Sequence, residues 1–184
     1  MLRTGLTLMA VAALAALGGC GRSVPKDAVA GAEQLFAAVV ARDRVAFEAA
    51  VDRRAVREDL RGQLVAVARR QGLEVDGGPS EFALDRMIGP DAFRLVDAEG
   101  QRVSEPPSAQ QIAGMMKVEA KGRVCVQDQA EHCLLSFARQ QGEEGARWRL
   151  VSMPAQDLTI ALPASDKETP GETARRAQGQ AREG

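Results

Sequence analysis

Apolar residues in the stretch 25–72 recur at helical spacing, with charged residues mostly on the other side of the helical wheel. Pro25 suits the first turn of the first helix, because the N–H that proline lacks would have no partner there. The pattern therefore predicts an amphipathic helix that begins at Pro25. Its apolar side carries Val29, Ala32, Phe36 and Val39.

Capping and terminating residues divide the chain that follows into further helices. Asp and Ser side chains accept hydrogen bonds from the free N–H groups of a first turn, and glycine favours a helix end. The helix after Asp52 is expected to end at Gly72, and Pro90 is expected to open a helical turn that runs to Val96. Capping residues predict helix starts after Asp43, Asp52, Ser80 and Ser108.

From about Met115 the apolar pattern changes to alternation, which is typical of half-buried strands. The short polar loops between these segments favour an antiparallel meander of roughly three to five strands. Loops are predicted at 128–131 and 140–145. The predicted strands lie at 116–120, 123–127, 132–137 and 147–153, and 158–162 is expected to add an edge strand.

Helices followed by an antiparallel meander predict an α+β fold, with the helices packed on one face of the sheet. Residues 25–162 are expected to form this single domain. Residues 163–184 are rich in Gly, Glu, Arg and Gln, so they are predicted to form a disordered tail. The predicted core is Phe36, Val39, Phe47, Leu60, Leu64, Phe82, Met87, Phe93, Leu135, Phe137, Trp148 and Leu150.

The N-terminal segment has the order of a secretory signal peptide. A basic residue, Arg3, precedes an almost unbroken apolar run from Leu6 to Leu17, and the small residues Gly18 and Gly19 follow. A membrane-spanning helix needs about 20 apolar residues, and this run is shorter. The segment is therefore predicted to direct export.

The sequence Leu17-Gly18-Gly19-Cys20 resembles the lipobox of bacterial lipoproteins, in which leucine and two small residues precede a cysteine. The resemblance implies cleavage after residue 19 and diacylation of the Cys20 thiol, which gives a stable membrane anchor. Residues 20–24 would then tether the domain to membrane lipid on the periplasmic side of the cell envelope. Enteric lipoproteins with Asp after the cysteine stay at the inner membrane, so Gly21 favours the outer membrane.

Charge and composition argue against nucleic acid as a partner. The 24 Lys and Arg residues are balanced by 25 Asp and Glu residues, so the formal net charge is -1 and no basic excess exists to neutralise phosphates. Aromatic residues make up 3% of the chain, which leaves few side chains on which bases or sugars would stack.

Cys125 and Cys133 remain as a pair if lipid occupies Cys20, and a pair in an oxidising compartment predicts a disulfide. Two strand registers stay open. If the cysteines face each other, the valines beside Cys125 lie on the face opposite to Leu135 and Phe137. A slip by one residue unites these apolar side chains on one face but turns the cysteines apart. A bulge near the loop would reconcile the two registers.

No catalytic, cofactor-binding or metal-binding residues are predicted. His132 is the single histidine and lies in a predicted loop, and the chain has no Gly-x-Ser-x-Gly motif. Asp52, Glu58 and Asp59 are interpreted as partners of arginines on their own helix. The cysteines lack the Cys-x-x-Cys spacing, and His132 alone would add too few ligands for a metal.

Three stretches resemble a proteobacterial family of uncharacterised short envelope proteins: Ala41 to Leu60, Met87 to Pro90, and Trp148 to Val151. This resemblance implies an envelope protein and transfers no activity. The predicted order of a long helix, short helices and a curved sheet is also similar to nuclear-transport-factor-two-like cone folds. These folds include both enzymes and binding modules, so the shape alone does not decide the function.

The sequence thus predicts a lipid-anchored envelope protein whose domain binds a partner protein of the envelope or a small ligand between helices and sheet, without catalysis. One alternative is a cone-fold hydrolase or isomerase, which needs a pocket of converging polar groups with perturbed pKa values. The other is a structural or assembly role, which would be marked by an exposed apolar patch on the order of several hundred Å².

Overall fold

The computed structural model describes residues 23–73, 78–142 and 145–163. The predicted signal segment 1–19, the predicted lipidation site Cys20 and the predicted tail beyond Pro163 lie outside the described residues. Within the described ranges, no helix combines the length and the apolar character that crossing a membrane requires.

Four helices begin directly after the predicted capping residues, and the first helix begins at Lys26, one residue after the predicted Pro25. Asp43, Asp52, Ser80 and Ser108 each accept a hydrogen bond from a backbone N–H of the helix that follows, which satisfies donors that have no partner inside the helix. The α-helices are α1 (Lys26–Ala41), α2 (Arg44–Ala50), α3 (Arg53–Arg70), α4 (Glu81–Met87) and α5 (Ala109–Met115).

The strands form a four-stranded antiparallel sheet and a separate two-stranded sheet. The larger sheet has the order β2-β3-β4-β5, and α1 and α3 pack against its β5 strand. This arrangement confirms the predicted α+β fold. The strands are β1 (Phe93–Val96), β2 (Met116–Val118), β3 (Val124–Gln127), β4 (Cys133–Gly142), β5 (Gly145–Ser152) and β6 (Leu158–Ala161).

The predicted helical turn from Pro90 to Val96 is wrong after its first residues. Pro90–Ala92 form a 3-10 turn, and β1 follows with three of its four side chains buried. β1 pairs in parallel with β6, and Leu95 lies opposite Ile160. The segment 158–162 therefore contains the predicted strand, but the strand joins β1 rather than the edge of the meander.

The connection between β4 and β5 is shorter than the predicted loop at 140–145. The two strands pair as far as Gly142 and Gly145, so most of the polar loop residues belong to the ladder. Gly145, the first residue of β5, has a φ of 100°, a backbone conformation that residues with a Cβ rarely adopt. The strand thus continues through residues whose side chains favour turns, because their backbone groups pair with the neighbouring strand.

The core lies between the helices and the larger sheet, and most of its predicted members are buried there. Leu64, Met87 and Trp148 are partly buried at its edge. The prediction for Phe82 is wrong, because 71% of this residue is exposed. Those buried as predicted are Phe36, Val39, Phe47, Leu60, Phe93, Leu135, Phe137 and Leu150.

Candidate functional site

The hairpin of β3 and β4 resolves the two registers that the sequence leaves open. Val126 lies opposite Leu135, whereas Gln127 lies opposite Cys133, so the register shifts between these pairs. The extra residue of this bulge lets the apolar side chains share the core face while both cysteines lie on the other face. The Cα atoms of Cys125 and Cys133 are 5.7 Å apart, and the sulfur atoms lie at disulfide-bond distance.

Two polar side chains adjoin the cysteine pair, and together the four residues form what we call the cysteine cluster. Ser136 lies opposite Cys125 in the ladder. Its hydroxyl donates to a Glu119 carboxylate oxygen at 3.4 Å and lies 3.4 Å from the sulfur of Cys133. Among the described residues Ser136 is the one polar residue that is buried, with 6% exposed. The cluster therefore joins both sulfurs to a half-buried carboxylate.

Of the residues described, the cluster contains the one set that is placed to hold a metal ion. A Glu119 carboxylate oxygen and the sulfurs of Cys125 and Cys133 lie within 4.8 Å of one another. The sequence gives no signal for Glu119, because Glu119 precedes the hairpin and no spacing rule links it to the cysteines. The position of Ser136 could be predicted from the sequence. It lies between Leu135 and Phe137, and strand alternation therefore places it on the face opposite to theirs, which is the face of Cys125.

His132 is exposed in the turn beside the cluster, where its side chain is 78% exposed. Its Nδ1 lies 3.3 Å from Asp128 Oδ2. The backbone N–H of His132, followed by that of Ala130, donates to the Asp128 carboxylate and lowers its pKa. These contacts fit the predicted solvated loop histidine that helps to order a turn.

The ion pairs of α3 differ from those predicted. Arg53 pairs with Glu48 in α2 and with Asp85 in α4, and the hydrogen bond to Glu48 is the main cause that raises the pKa of Arg53. Arg57 and Arg61 both pair with Glu81. The arginines thus hold α2 and α4 against α3, because side chains from neighbouring helices reach them.

The acidic residues of α3 have other partners than the predicted arginines. Asp52 caps the helix. Asp59 accepts hydrogen bonds from the Ser152 hydroxyl at 2.8 Å and from Gln63 Nε2 at 2.7 Å, which fastens α3 to the end of β5. Glu58 lines an open groove between α3 and the sheet. The described structure therefore gives these three carboxylates no shared acid/base arrangement.

Phe82 lies beside a partly open cavity of about 440 Å³ between α2 and α4. Charged side chains of both signs line this cavity, and the Arg86 guanidinium lies 5.9 Å from the centre of the Phe82 ring. We call this region the Phe82 surface; it comprises Arg44, Glu48, Arg53, Phe82, Asp85 and Arg86.

The exposure of Phe82 follows from the packing of α4. Leu84 is the buried residue of this helix, and Ile88, which follows it by one helical turn, is also buried. Phe82 is offset from Leu84 by two residues, which places it on the opposite side of the helix. Sequence periodicity contained this signal, but the size of the ring favoured a core position.

Apolar side chains fill the space between helices and sheet in the described part of the chain. Phe36 and Leu60 from the helices belong to the same core cluster as Phe137 and Leu150 from the sheet, and all four are fully buried. No family model matches the chain, and no curated protein or solved structure matches it.

Proposed function

We propose that this chain is a lipid-anchored protein of the bacterial cell envelope that faces the periplasm. Gly21 favours the outer over the inner membrane as the site of the anchor. Its domain binds a partner protein through the Phe82 surface and catalyses no reaction. The observation that carries the proposal is the 71% exposure of Phe82 in a chain whose aromatic content is 3%.

The Phe82 surface has the composition of a protein-binding site. Large aromatic side chains and arginines dominate the binding energy of protein interfaces, and polar groups form the rim. Phe82 lies next to Arg86 and beside a cavity that a partner side chain would fill. Fully burying a phenylalanine contributes about 1.5–3 kcal/mol, so covering this ring would stabilise a complex measurably.

The position of the surface suits an anchored protein. Lys26, the first residue of α1, follows the predicted tether, whereas Arg44 of the Phe82 surface comes just after the other end of α1. A helix of 16 residues is about 24 Å long. Arg44 therefore follows the end of α1 opposite to Lys26, and this separation supports a binding surface that an anchor before α1 would leave accessible.

A binding role also agrees with the electrostatics of the described residues. The hydrogen bond with Glu48 raises the pKa of Arg53, and hydrogen bonds from two arginines of α3 lower the pKa of Glu81. Asp128 has a lowered pKa because it accepts backbone hydrogen bonds in a turn. Each shift is explained by a structural contact of that residue, and the apolar interior is occupied by side chains.

Site-specific photocrosslinking tests the partner site. A benzoylphenylalanine introduced for Phe82 in the full-length lipoprotein is expected to crosslink one reproducible envelope protein. The same group introduced for Leu73 is the matched control, because Leu73 is also exposed (57%) but does not line the cavity. Equal crosslinking to the same protein from both positions would contradict the proposed site.

Loss of the ring gives a second test. Phe82→Ala is expected to lose the crosslinked protein in affinity capture, whereas Leu73→Ala retains it. The free energy of unfolding of both variants should lie within about 0.5 kcal/mol of that of the unchanged protein, since neither residue is buried. Capture that survives Phe82→Ala would refute the partner site and would leave the anchor unaffected.

Metabolic labelling with a palmitate analogue tests the anchor. The Cys20→Ala variant is expected to lose the label and to leave the membrane fraction. A Cys125→Ser/Cys133→Ser variant is the control and should keep the label, because its lipobox is intact. Unchanged labelling of Cys20→Ala would show that Cys20 is not the acylated residue.

A further inference from the structure

We propose that the cysteine cluster becomes a zinc site when its disulfide is reduced, with the sulfurs of Cys125 and Cys133 and the Glu119 carboxylate as ligands. The disulfide form would not bind the ion, because its sulfurs are bonded to each other. This proposal is independent of the Phe82 surface.

The positions of the three ligand atoms suit tetrahedral zinc. Zinc binds thiolate sulfur at about 2.3 Å and carboxylate oxygen at about 2.0–2.2 Å, which places neighbouring ligand atoms about 3.4–3.8 Å apart. The Glu119 oxygen and the two sulfurs lie within 4.8 Å of one another while the sulfurs are still bonded to each other. Once the sulfur–sulfur bond is broken, side-chain rotation can separate the sulfurs to this spacing, because the Cα atoms of the two cysteines are 5.7 Å apart, and water would complete the fourth position.

The charge around the cluster favours a cation. Glu119 is half-buried and makes no ion pair with a lysine or arginine among residues 23–73, 78–142 and 145–163. Lys117, which precedes Glu119 by two residues, pairs instead with Glu131, and its Nζ lies 4.0 Å from Glu131 Oε2. Reduction would place two ionisable thiols beside this carboxylate, and Cys125 is completely buried. A divalent cation would offset the repulsion between three negative groups in this environment.

Ser136 orients the ligands. Its hydroxyl donates to Glu119 and lies against the Cys133 sulfur, both at 3.4 Å. Metal ligands in proteins are held in place by hydrogen bonds of this kind. Ser136 is buried between the carboxylate and the sulfur, so these contacts exist before any metal binds.

The sulfurs differ in their accessibility, and this determines how reduction proceeds. Cys133 is exposed, whereas Cys125 is buried. A thiolate of an external dithiol attacks the Cys133 sulfur, and Cys125 leaves as a thiolate and takes up a proton. The second thiol of the reductant then displaces Cys133 and forms its own disulfide. One dithiol is oxidised for each protein disulfide reduced, and zinc binding releases the two thiol protons.

Metal titration of the full-length chain tests the site. The protein is reduced with a water-soluble phosphine, freed of reductant without air, and titrated with zinc in competition with a chromophoric chelator. Reduced protein is expected to bind one zinc ion per chain, and the disulfide form none. Cobalt as a substitute should give the absorption of tetrahedral thiolate coordination. A reduced protein that binds no zinc would overturn the proposal.

Paired variants separate this site from weak surface binding. Glu119→Gln is expected to weaken zinc binding by at least about tenfold, whereas Glu131→Gln, which removes a nearby exposed carboxylate, leaves it unchanged. Circular dichroism checks the fold of the reduced chain, and zinc should raise its unfolding temperature. Equal affinity in Glu119→Gln and the unchanged protein, or a reduced chain that stays unfolded with zinc, would refute the three-ligand site.

Discussion

Gly31 in α1 faces the backbone of β5 so closely that a methyl group does not fit. A Cβ at this position would lie 2.8 Å from the Trp148 carbonyl oxygen and 2.9 Å from the Trp148 Cβ. Both atoms belong to or adjoin the backbone of a paired strand, so no side-chain rotation relieves the contact. Gly31→Ala is therefore expected to push α1 away from the sheet.

The size of the effect follows from two opposing contributions. Overpacking a core contact costs about 1–3 kcal/mol. Alanine in the interior of a helix is more favourable than glycine by about 0.5–1 kcal/mol. The difference between these ranges is about 0–2.5 kcal/mol, and because the contact is with strand backbone that cannot rotate away, we expect Gly31→Ala to destabilise the domain by a value in the upper half of that range, about 1–2.5 kcal/mol.

Gly62 in α3 provides the matched control. A Cβ added there meets no atom within 4 Å, so the same substitution has only the helical contribution. Gly62→Ala is expected to stabilise the domain by about 0.5–1 kcal/mol. The two variants make the same chemical change in a helix interior and are expected to shift stability in opposite directions.

Urea unfolding followed by circular dichroism measures both variants, with the disulfide intact throughout. The midpoint should fall for Gly31→Ala and rise for Gly62→Ala at unchanged slope. In thermal unfolding, about 1 kcal/mol corresponds to roughly 2–8 °C for a domain of this size range. If Gly31→Ala were as stable as Gly62→Ala, the close packing of α1 on β5 would be wrong.

Three further predictions concern the disulfide, a carboxylate and a helix cap. Reducing Cys125–Cys133, which are 8 residues apart, should lower the free energy of unfolding by about 2.5 kcal/mol in the absence of metal; no change in the urea midpoint would contradict this. Hydrogen bonds from Arg61 and Arg57 lower the pKa of Glu81 below its usual 4.5. Around this pH the folded state therefore binds fewer protons than the unfolded state. The ion pairs stabilise the fold above pH 4.5, and this stabilisation is lost as the pH falls through the pKa of Glu81 in the folded state. Glu81→Gln should therefore show a smaller loss of unfolding temperature on acidification than the unchanged protein, and an identical pH profile would be inconsistent with the ion pairs. Asp52→Ala removes the α3 cap and should cost about 1 kcal/mol in urea unfolding, and a cost near zero would show that the cap is unimportant.

Prediction from sequence succeeded where one short stretch contains all the necessary information. Asp43 and Ser80 start helices because a cap acts on backbone groups within three residues of itself. The strands β3 and β5 lie where apolar and polar residues alternate, since alternation specifies a strand with one buried face. The order of these elements was sufficient to predict the α+β fold.

The same local rules failed where contacts with a distant part of the chain decide the structure of a segment. The sequence predicts a helical turn through Val96, but residues 93–96 pair in parallel with β6 and form a strand. Phe82 is apolar, yet Leu84 and Ile88 already fill the contact of α4 with the core. Burial depends on which face meets the rest of the molecule, and a single segment does not specify that face.

The cysteine pair shows both contributions. The sequence by itself determined which two cysteines are available and that the apolar alternation conflicts with their direct pairing. Only the tertiary structure decided that a bulge between Val126 and Gln127 satisfies both, and that Glu119 and Ser136 adjoin the sulfurs. The physical reason is that alternation is set by neighbouring residues, whereas a site assembled from separate strands depends on the register in which those strands pair.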